Sequence, residues 1–147
     1  MEQKPKGGFK FQEFFITDFS ISRKPIKQGD KDLEIDYHPN AVLGLKTKTY
    51  VLGLKIELKD PDGSFTMTID SLGFFAFDDI DSLEELKPIL YLNAPAILFP
   101  YIRSFVASVT ALSGLEAVHI PVTNLSFLRK AVEENTVVTE EDEDEFE

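Results

Sequence analysis

Two runs of strict alternation meet at one turn, and that pairing constrains the fold more than any other feature of the chain. In Thr47–Lys59, Tyr50, Leu52, Leu54, Ile56 and Leu58 share a face and Lys55 and Glu57 take the other, a period-two pattern that reads as a half-buried strand. Asp60-Pro61-Asp62-Gly63 follows, with proline presetting φ and glycine supplying positive φ. The next run, Ser64–Phe77, sets Phe65, Met67 and Ile69 on one face and must pair antiparallel with the first. Its phase slips near Ser71–Gly73, where a bulge or bend is expected.

Two more strands precede this hairpin. Phe9–Ile21 alternates, with Phe9, Phe11, Phe15, Phe19 and Ile21 on one face; Phe14 and Ile16 make the other partly apolar. Arg23–Lys31 is charged, contains Pro25 and Gly29, and reads as a connecting loop. Asp32–Tyr37 alternates Leu33, Ile35 and Tyr37 against acids, and Pro39 and Asn40 end or bend it.

The second half is helical. Ser82 and Glu85 have capping-box spacing, and Pro88 kinks or ends the short helix they open. A long helix is expected from Pro95, a residue suited to a first turn. Leu98, Tyr101, Ile102, Phe105, Val109 and Leu112 give it a large apolar face, Ser104, Ala107, Ser108 and Ala111 a face of small residues, and Gly114 a stop. Leu115–Val122 alternates loosely, and Asn124 caps a last helix, Leu125–Glu134. The expected architecture is α+β: a four-stranded antiparallel sheet followed by a long helix and a short C-terminal helix packed on one face. It spans one domain, 9–134, between a flexible arm, 1–8, and a disordered acidic tail, 135–147.

Composition narrows the function. The net charge is −11, and Glu140, Glu141, Asp142, Glu143, Asp144, Glu145 and Glu147 supply most of it, so the domain itself is mildly acidic. Nucleic-acid binding and anionic membranes need a basic face and are disfavoured. The absence of cysteine excludes disulfides and thiolate metal sites and fits a reducing compartment. The segment Met1–Phe11 has no apolar signal region, and Pro95, Pro100 and Arg103 interrupt the apolar run Ile89–Val109, which argues against membrane insertion. Thirteen phenylalanines and no tryptophan call for a core, or for a surface that takes apolar partners.

Catalytic chemistry is thin. His38 and His119 are isolated, without a partner at metal-ligand spacing, so no metal and no cofactor are expected. Asp78, Asp79 and Asp81 lack the spacing and glycine of a calcium loop and read as a solvated lead-in to the capped helix. No phosphate-cradling glycine loop or nucleophile motif is present, and no enzyme is expected.

Several blocks together resemble the SecB protein-export chaperones. Pro95-Ala96-Ile97-Leu98-Phe99-Pro100-Tyr101-Ile102-Arg103 is similar to the family's P-x-I-L-F-P-Y-A-R block. Gly114 falls where the family ends its long helix. Pro121-Val122 and Asn124 resemble its P-V-N-F with Thr123 inserted. Thr17-Asp18-Phe19-Ser20 resembles the T-K-D-I-S of its first strand, and Gly73-Phe74-Phe75 its G-I-F.

The resemblance implies a cytoplasmic, ATP-independent holdase that is a homotetramer, a dimer of dimers with long helices between two sheets. Such a protein binds unfolded preproteins in apolar grooves and passes them to the SecA motor. It places client contacts at Phe19, Ile21, Tyr37, Leu115, Val118, Ile120 and Val122. Tyr101, Ser104, Phe105, Ala107, Ser108 and Ala111 are then the oligomer interface. Asp18 matches an acid of the SecA-docking surface, while Ser22 and Thr68 stand where other acids would align. Two alternatives remain open: a SecB-like chaperone dedicated to one client, such as an antitoxin, and a small ligand-binding α+β domain, which the scarcity of polar site residues disfavours.

Overall fold

A computed structural model describes residues 9–25, 33–78, 83–114 and 116–140. Four strands come first: β1 (Phe9–Arg23), β2 (Glu34–Gly44), β3 (Thr49–Lys59) and β4 (Phe65–Phe77). A long helix, α1 (Leu83–Leu112), is followed by a 3-10 turn (Leu125–Leu128), a short helix, α2 (Arg129–Glu134), and β5 (Thr136–Thr139). The sheet order is β1-β4-β3-β2-β5.

The hairpin predicted around Asp60–Gly63 is present. Asp60 N–H donates to the Phe65 carbonyl at 2.9 Å, and Gly63, at φ 77°, returns its N–H to the Asp60 carbonyl at 2.9 Å. The buried Asp60 carboxylate accepts from Ser64 Oγ at 3.2 Å, which offsets the cost of its burial. Tyr50, Leu52, Leu54, Ile56 and Leu58 on β3 and Phe65, Met67, Ile69 and Phe75 on β4 form the sheet half of the core.

The expected irregularity sits on the other partner. β4 alternates without a break, from Phe65 to Phe77. β1 instead shifts register between Phe11 and Glu13 and between Ile16 and Asp18. Each extra residue flips the side chains that follow to the opposite face. The inner face is therefore Phe9 and Phe11, then Phe14 and Ile16, then Phe19, Ile21 and Arg23, each opposite an inward residue of β4. Phe15, expected inside, is paired with Leu72 on the outer face and is 47% exposed.

β2 continues through Pro39 to Gly44 and does not end there. Ala41 and Leu45 send their N–H groups toward β5, to the carbonyls of Asn135 and Thr139 at 3.0 and 2.9 Å. Pro39, two residues before Ala41, aims its ring nitrogen at the same edge, so no bond to β3 is lost. β5 then makes the sheet five-stranded and mixed, because it runs parallel to β2 from Ala41↔Thr136 to Gly44↔Thr139. The ordered domain thus extends past residue 134 into the stretch expected to be a disordered tail.

α1 is one continuous helix with Pro88, Pro95 and Pro100 inside it, not a short helix followed by a long one. Each proline lacks a single N–H, and burial of Leu86, Leu90, Leu98, Ile102 and Val106 on the sheet outweighs those losses. By length and composition α1 is apolar enough to cross a membrane; here it is the helix that covers the sheet. Gly114 has φ 94° and follows the last turn, as expected of a stop. Ser82 of the expected capping box, Asp79 and Asp81, the arm 1–8 and residues 141–147 lie outside the described residues.

After Gly114 the chain runs back along α1. Thr110 Oγ1 donates to the Val106 carbonyl and accepts from Val118 N–H, both at 2.7 Å. Arg103 Nε donates to the Ile120 carbonyl at 2.7 Å. Asn124 accepts from Ser126 N–H at 3.0 Å, the cap that was expected. The expected single helix Leu125–Glu134 is split into the 3-10 turn and α2.

Candidate functional site: two apolar strips beside the long helix

The inner surface of the sheet is wider than α1, and apolar side chains emerge along both flanks. On the β1 flank, Tyr101 stacks on Phe14 with centroids 5.2 Å apart and meets Phe11 at 5.3 Å, while Phe105 meets Phe19 edge-on at 5.0 Å. Phe19 remains 45% exposed. On the β2 flank, Tyr37 lies 5.6 Å from Phe127 and 6.4 Å from Phe99. Phe127 is 58% exposed, and Ile35 and Leu33 continue the strip half-buried along β2. Partial burial pushes the Tyr37 hydroxyl above its ordinary pKa, the response of a phenol in an apolar setting.

The β2 flank also offers backbone. β5 covers the outer edge of β2 only from Ala41 to Gly44. Among the described residues no strand pairs with Glu34–Asn40 on that edge, and the register turns the N–H and C=O groups of Ile35 and Tyr37 toward it. An aromatic cluster beside an unpaired strand edge can take an extended apolar peptide by strand addition, with side chains in the cluster and main chain on the edge.

The residues expected to contact a client are thus divided. Phe19 and Ile21 belong to the β1 flank and Tyr37 to the β2 flank, with β4 and β3 between them. Val122 is 84% exposed on the returning segment. Val118 and Ile120 do not line a groove: both are buried, because the bonds from Thr110 and Arg103 fasten the segment with those side chains inward. Leu115 lies outside the described residues. Sequence reading missed Phe127, which follows the recognised Asn124 cap and stands exposed on the 3-10 turn.

The interface residues on α1 also divide. Ser104, Ser108 and Ala111 are exposed, and Tyr101 is 47% exposed although it packs on β1, whereas Phe105, which meets Phe19, and Ala107 are half-buried. Asp18 lies on the outer face directly opposite Asp70, with Ser20↔Thr68 and Ser22↔Thr66 continuing the same face. Asp70 was not singled out from sequence, although it shares the face of Thr68 by simple alternation; only its pairing with Asp18 depends on the bulges in β1. Among the described residues no group of histidine, aspartate and glutamate is placed to hold a metal ion.

Comparison with known proteins agrees with this architecture. The family model described as SecB, preprotein translocase subunit SecB, matches residues 2–135. An uncharacterised protein of Methanocaldococcus jannaschii is 24% identical over 91% of this chain and 90% of its own. The protein-export protein SecB of Roseobacter denitrificans is 27% identical, covering 78% of this chain and 73% of its own. Among solved structures, a Mycobacterium tuberculosis SecB-like chaperone in complex with a ChAD peptide from the HigA1 antitoxin superposes with a TM-score of 0.61 at 16% identity, over 78% of this chain and 87% of that one. With a family model covering nearly the whole domain and a sheet and helix of matching design, the chain belongs to the SecB family of chaperones.

Proposed function

We propose that this protein is an ATP-independent holdase that binds unfolded preproteins in extended form and supports their export. The observation that carries this reading is the half-buried Tyr37 and the exposed Phe127, 5.6 Å apart, beside the stretch of the β2 edge with which no described strand pairs. Apolar burial is non-directional and contributes about 25 cal/mol per Å², so such a strip tolerates many sequences. Main-chain pairing adds affinity without reading side chains. Neither step uses nucleotide.

The same reading takes the exposed face of α1, with Ser104, Ser108 and Ala111, as the contact between copies in a homotetramer, small residues allowing close helix approach. It takes the Asp18–Asp70 pair on the outer face as the acidic point for SecA, and the cytoplasm as the working compartment. The deciding experiment is light scattering of an unfolded secretory precursor with and without the protein, in the absence of ATP, alongside a native mass. Suppressed aggregation at near-stoichiometric amounts and a mass near four chains are expected. A monomer that leaves aggregation unchanged defeats the proposal.

A second reading is a chaperone dedicated to one client, such as an antitoxin; the peptide bound by the M. tuberculosis protein of the same fold favours it. Affinity capture from the native host separates the two. Many unrelated unfolded chains support the general holdase, and a single recurring partner supports the dedicated one.

A further inference from the structure

The edge of β2 changes character at Ala41. Before it, among the described residues, no strand pairs with Glu34–Asn40; from it, β5 pairs as far as Gly44. Ala41 N–H is taken by the Asn135 carbonyl at 3.0 Å, and Leu45 N–H by the Thr139 carbonyl at 2.9 Å. What stands at this boundary decides how much of the edge a client can use, an inference that rests on the client reading proposed above.

β5 itself is lightly held. Val137 and Val138 are 64% and 43% exposed, and the Thr136 hydroxyl lies a long 3.5 Å from that of Tyr50. The junction that leads into β5 is held firmly. Asn135 N–H reaches the carbonyls of Ala131 and Val132 at 3.1 and 3.2 Å, and Asn135 Nδ2 donates to the Ala131 carbonyl at 2.7 Å. Thr136 Oγ1 donates to the Val132 carbonyl at 2.6 Å. Val132 is fully buried, so α2 anchors these bonds in the core. The carbonyl that occupies Ala41 therefore belongs to the end of a packed helix and not to a loose strand.

The open stretch is short and loses a donor beside the junction. Ile35, Tyr37 and Pro39 turn their main-chain groups to the free edge, and Pro39 has no N–H to give. Ile35 and Tyr37 are left to supply the amide donors. Glu34–Asn40 gives an incoming chain about seven residues of edge, roughly 23 Å at about 3.3 Å per residue.

We propose that the α2–β5 junction is an end wall for the client strand. A client pairs its main chain with Ile35 and Tyr37, lays side chains on Tyr37 and Phe127, and leaves the sheet at Asn40 however long it is. Displacing Asn135 would strip the carbonyls at the end of α2 of their donors, whereas turning away breaks no bond of the protein. Asn135 is thus a specificity-determining residue: it fixes where the edge is read and over what length.

Residue-resolved hydrogen exchange on the full chain reads the footprint, with and without an alkylated, permanently unfolded secretory precursor and in the absence of ATP. At a precursor concentration about ten times its Kd, exchange at the Ile35 and Tyr37 amides is expected to slow about tenfold. The Ala41 and Leu45 amides and those of β5 are expected to keep the rates of the free protein. Val137→Pro removes an N–H that the parallel register turns toward β2 and unpairs β5 beyond the junction, with circular dichroism showing that the domain stays folded. In that variant the Leu45 amide is expected to exchange fast and to stay fast with precursor bound, while Ala41 remains protected and precursor affinity is unchanged. Loss of protection in β5 on adding precursor, or precursor-dependent protection of Leu45 in the proline variant, overturns the proposal, because the client then pairs past Asn135. So does a precursor that is kept from aggregating while Ile35 and Tyr37 exchange as in the free protein, a result that leaves the holdase reading standing. If aggregation is not suppressed at all, the client reading itself fails and the wall with it.

Discussion

Arg23, at the end of β1, donates from Nη1 to the carbonyl oxygen of Thr110, 3.3 Å away in the last turn of α1. The same guanidinium reaches Ser113 Oγ at 3.0 Å and the Glu116 carbonyl at 3.3 Å, and it lies 5.6 Å from the centre of the Phe65 ring. α1 has no basic residue in its own last turn, so a strand distant in sequence supplies the cation that complements its C-terminal carbonyls. Arg23→Ala is expected to lower stability by about 1.5–3 kcal/mol, the range for hydrogen bonds to charged groups. Arg23→Lys should recover less than half, because the three N–H groups of a compact ammonium radiate from one nitrogen and do not span acceptors that the guanidinium reaches from two. Urea unfolding checks both; an alanine variant as stable as the parent shows that the tie contributes nothing.

Thr110 is the second fastening. Its buried hydroxyl joins the Val106 carbonyl to Val118 N–H. Thr110→Val keeps the shape but strands the Val118 amide, at a cost of about 1–3 kcal/mol, whereas Thr110→Ser should keep most of the stability. Hydrogen exchange at the Val118 amide is expected to accelerate in the valine variant and not in the serine variant. Equal protection in all three proteins contradicts this role.

Leu98 of α1 packs directly against Gly73 of β4. A Cβ at Gly73 would run into both methyl groups of Leu98, so glycine here makes room for the helix. Gly73→Ala is expected to cost about 1–3 kcal/mol through overpacking. Leu98→Ala alone leaves a cavity and costs about 2–5 kcal/mol. Because each change relieves the other, the double variant should be more stable than the sum of the two losses, with a coupling of roughly 0.5–3 kcal/mol. Strict additivity in a thermal-unfolding cycle removes the contact from the account.

Legibility in the sequence followed how local each determinant is. The β3–β4 hairpin was readable because alternation, Pro61 and Gly63 all act within a few residues, and the Asn124 cap and Gly114 stop are equally local. The faces of β1 were not readable, since Gln12 and Thr17 are skipped only in pairing with β4. α1 looked broken because Pro88 and Pro95 oppose helix locally, and sheet packing overrides them. Thr136-Val137-Val138-Thr139 has strand-forming residues, but its pairing depends on α2 returning the chain to β2. Of the proposed client surface, Tyr37 and Phe19 were visible as alternating residues of their strands. Val118 and Ile120 were misjudged because alternation says which side chains share a face and not which face is sealed.

Alkaline pH tests the tyrosines. Burial pushes the hydroxyls of Tyr50, Tyr37 and Tyr91 above their ordinary value. In the unfolded chain they ionise near about pH 10. Above that pH the folded protein holds protons that the unfolded chain has released, so stability falls as pH rises. Below it these groups contribute no slope. Tyr50→Phe is expected to be nearly neutral at pH 7, because its contact with Thr136 Oγ1 is long at 3.5 Å, and to lessen the loss above pH 10. Urea midpoints from pH 7 to about pH 11 decide this; a parent curve that stays flat across that range contradicts it.

The sharpest functional contrast lies between Phe127, which the sequence reading passed over, and Val118, which it placed at a client contact. Phe127 projects from the 3-10 turn beside Tyr37, more than half exposed, and no core packing depends on its full side chain. Phe127→Ser should therefore preserve the fold and weaken client holding roughly tenfold, the equivalent of about 1.4 kcal/mol. That is what losing an aromatic contact of modest area would give. Val118 is buried and its amide is tied to Thr110. Val118→Asp places an unpaired carboxylate in the core and should destabilise the domain by several kcal/mol, so any loss of holding there reports unfolding. Aggregation assays at temperatures where circular dichroism shows both variants folded separate the cases. If Phe127→Ser holds a client as tightly as the parent while remaining folded, the β2 flank is not where clients bind, and the Phe19–Phe105 flank becomes the surface to test.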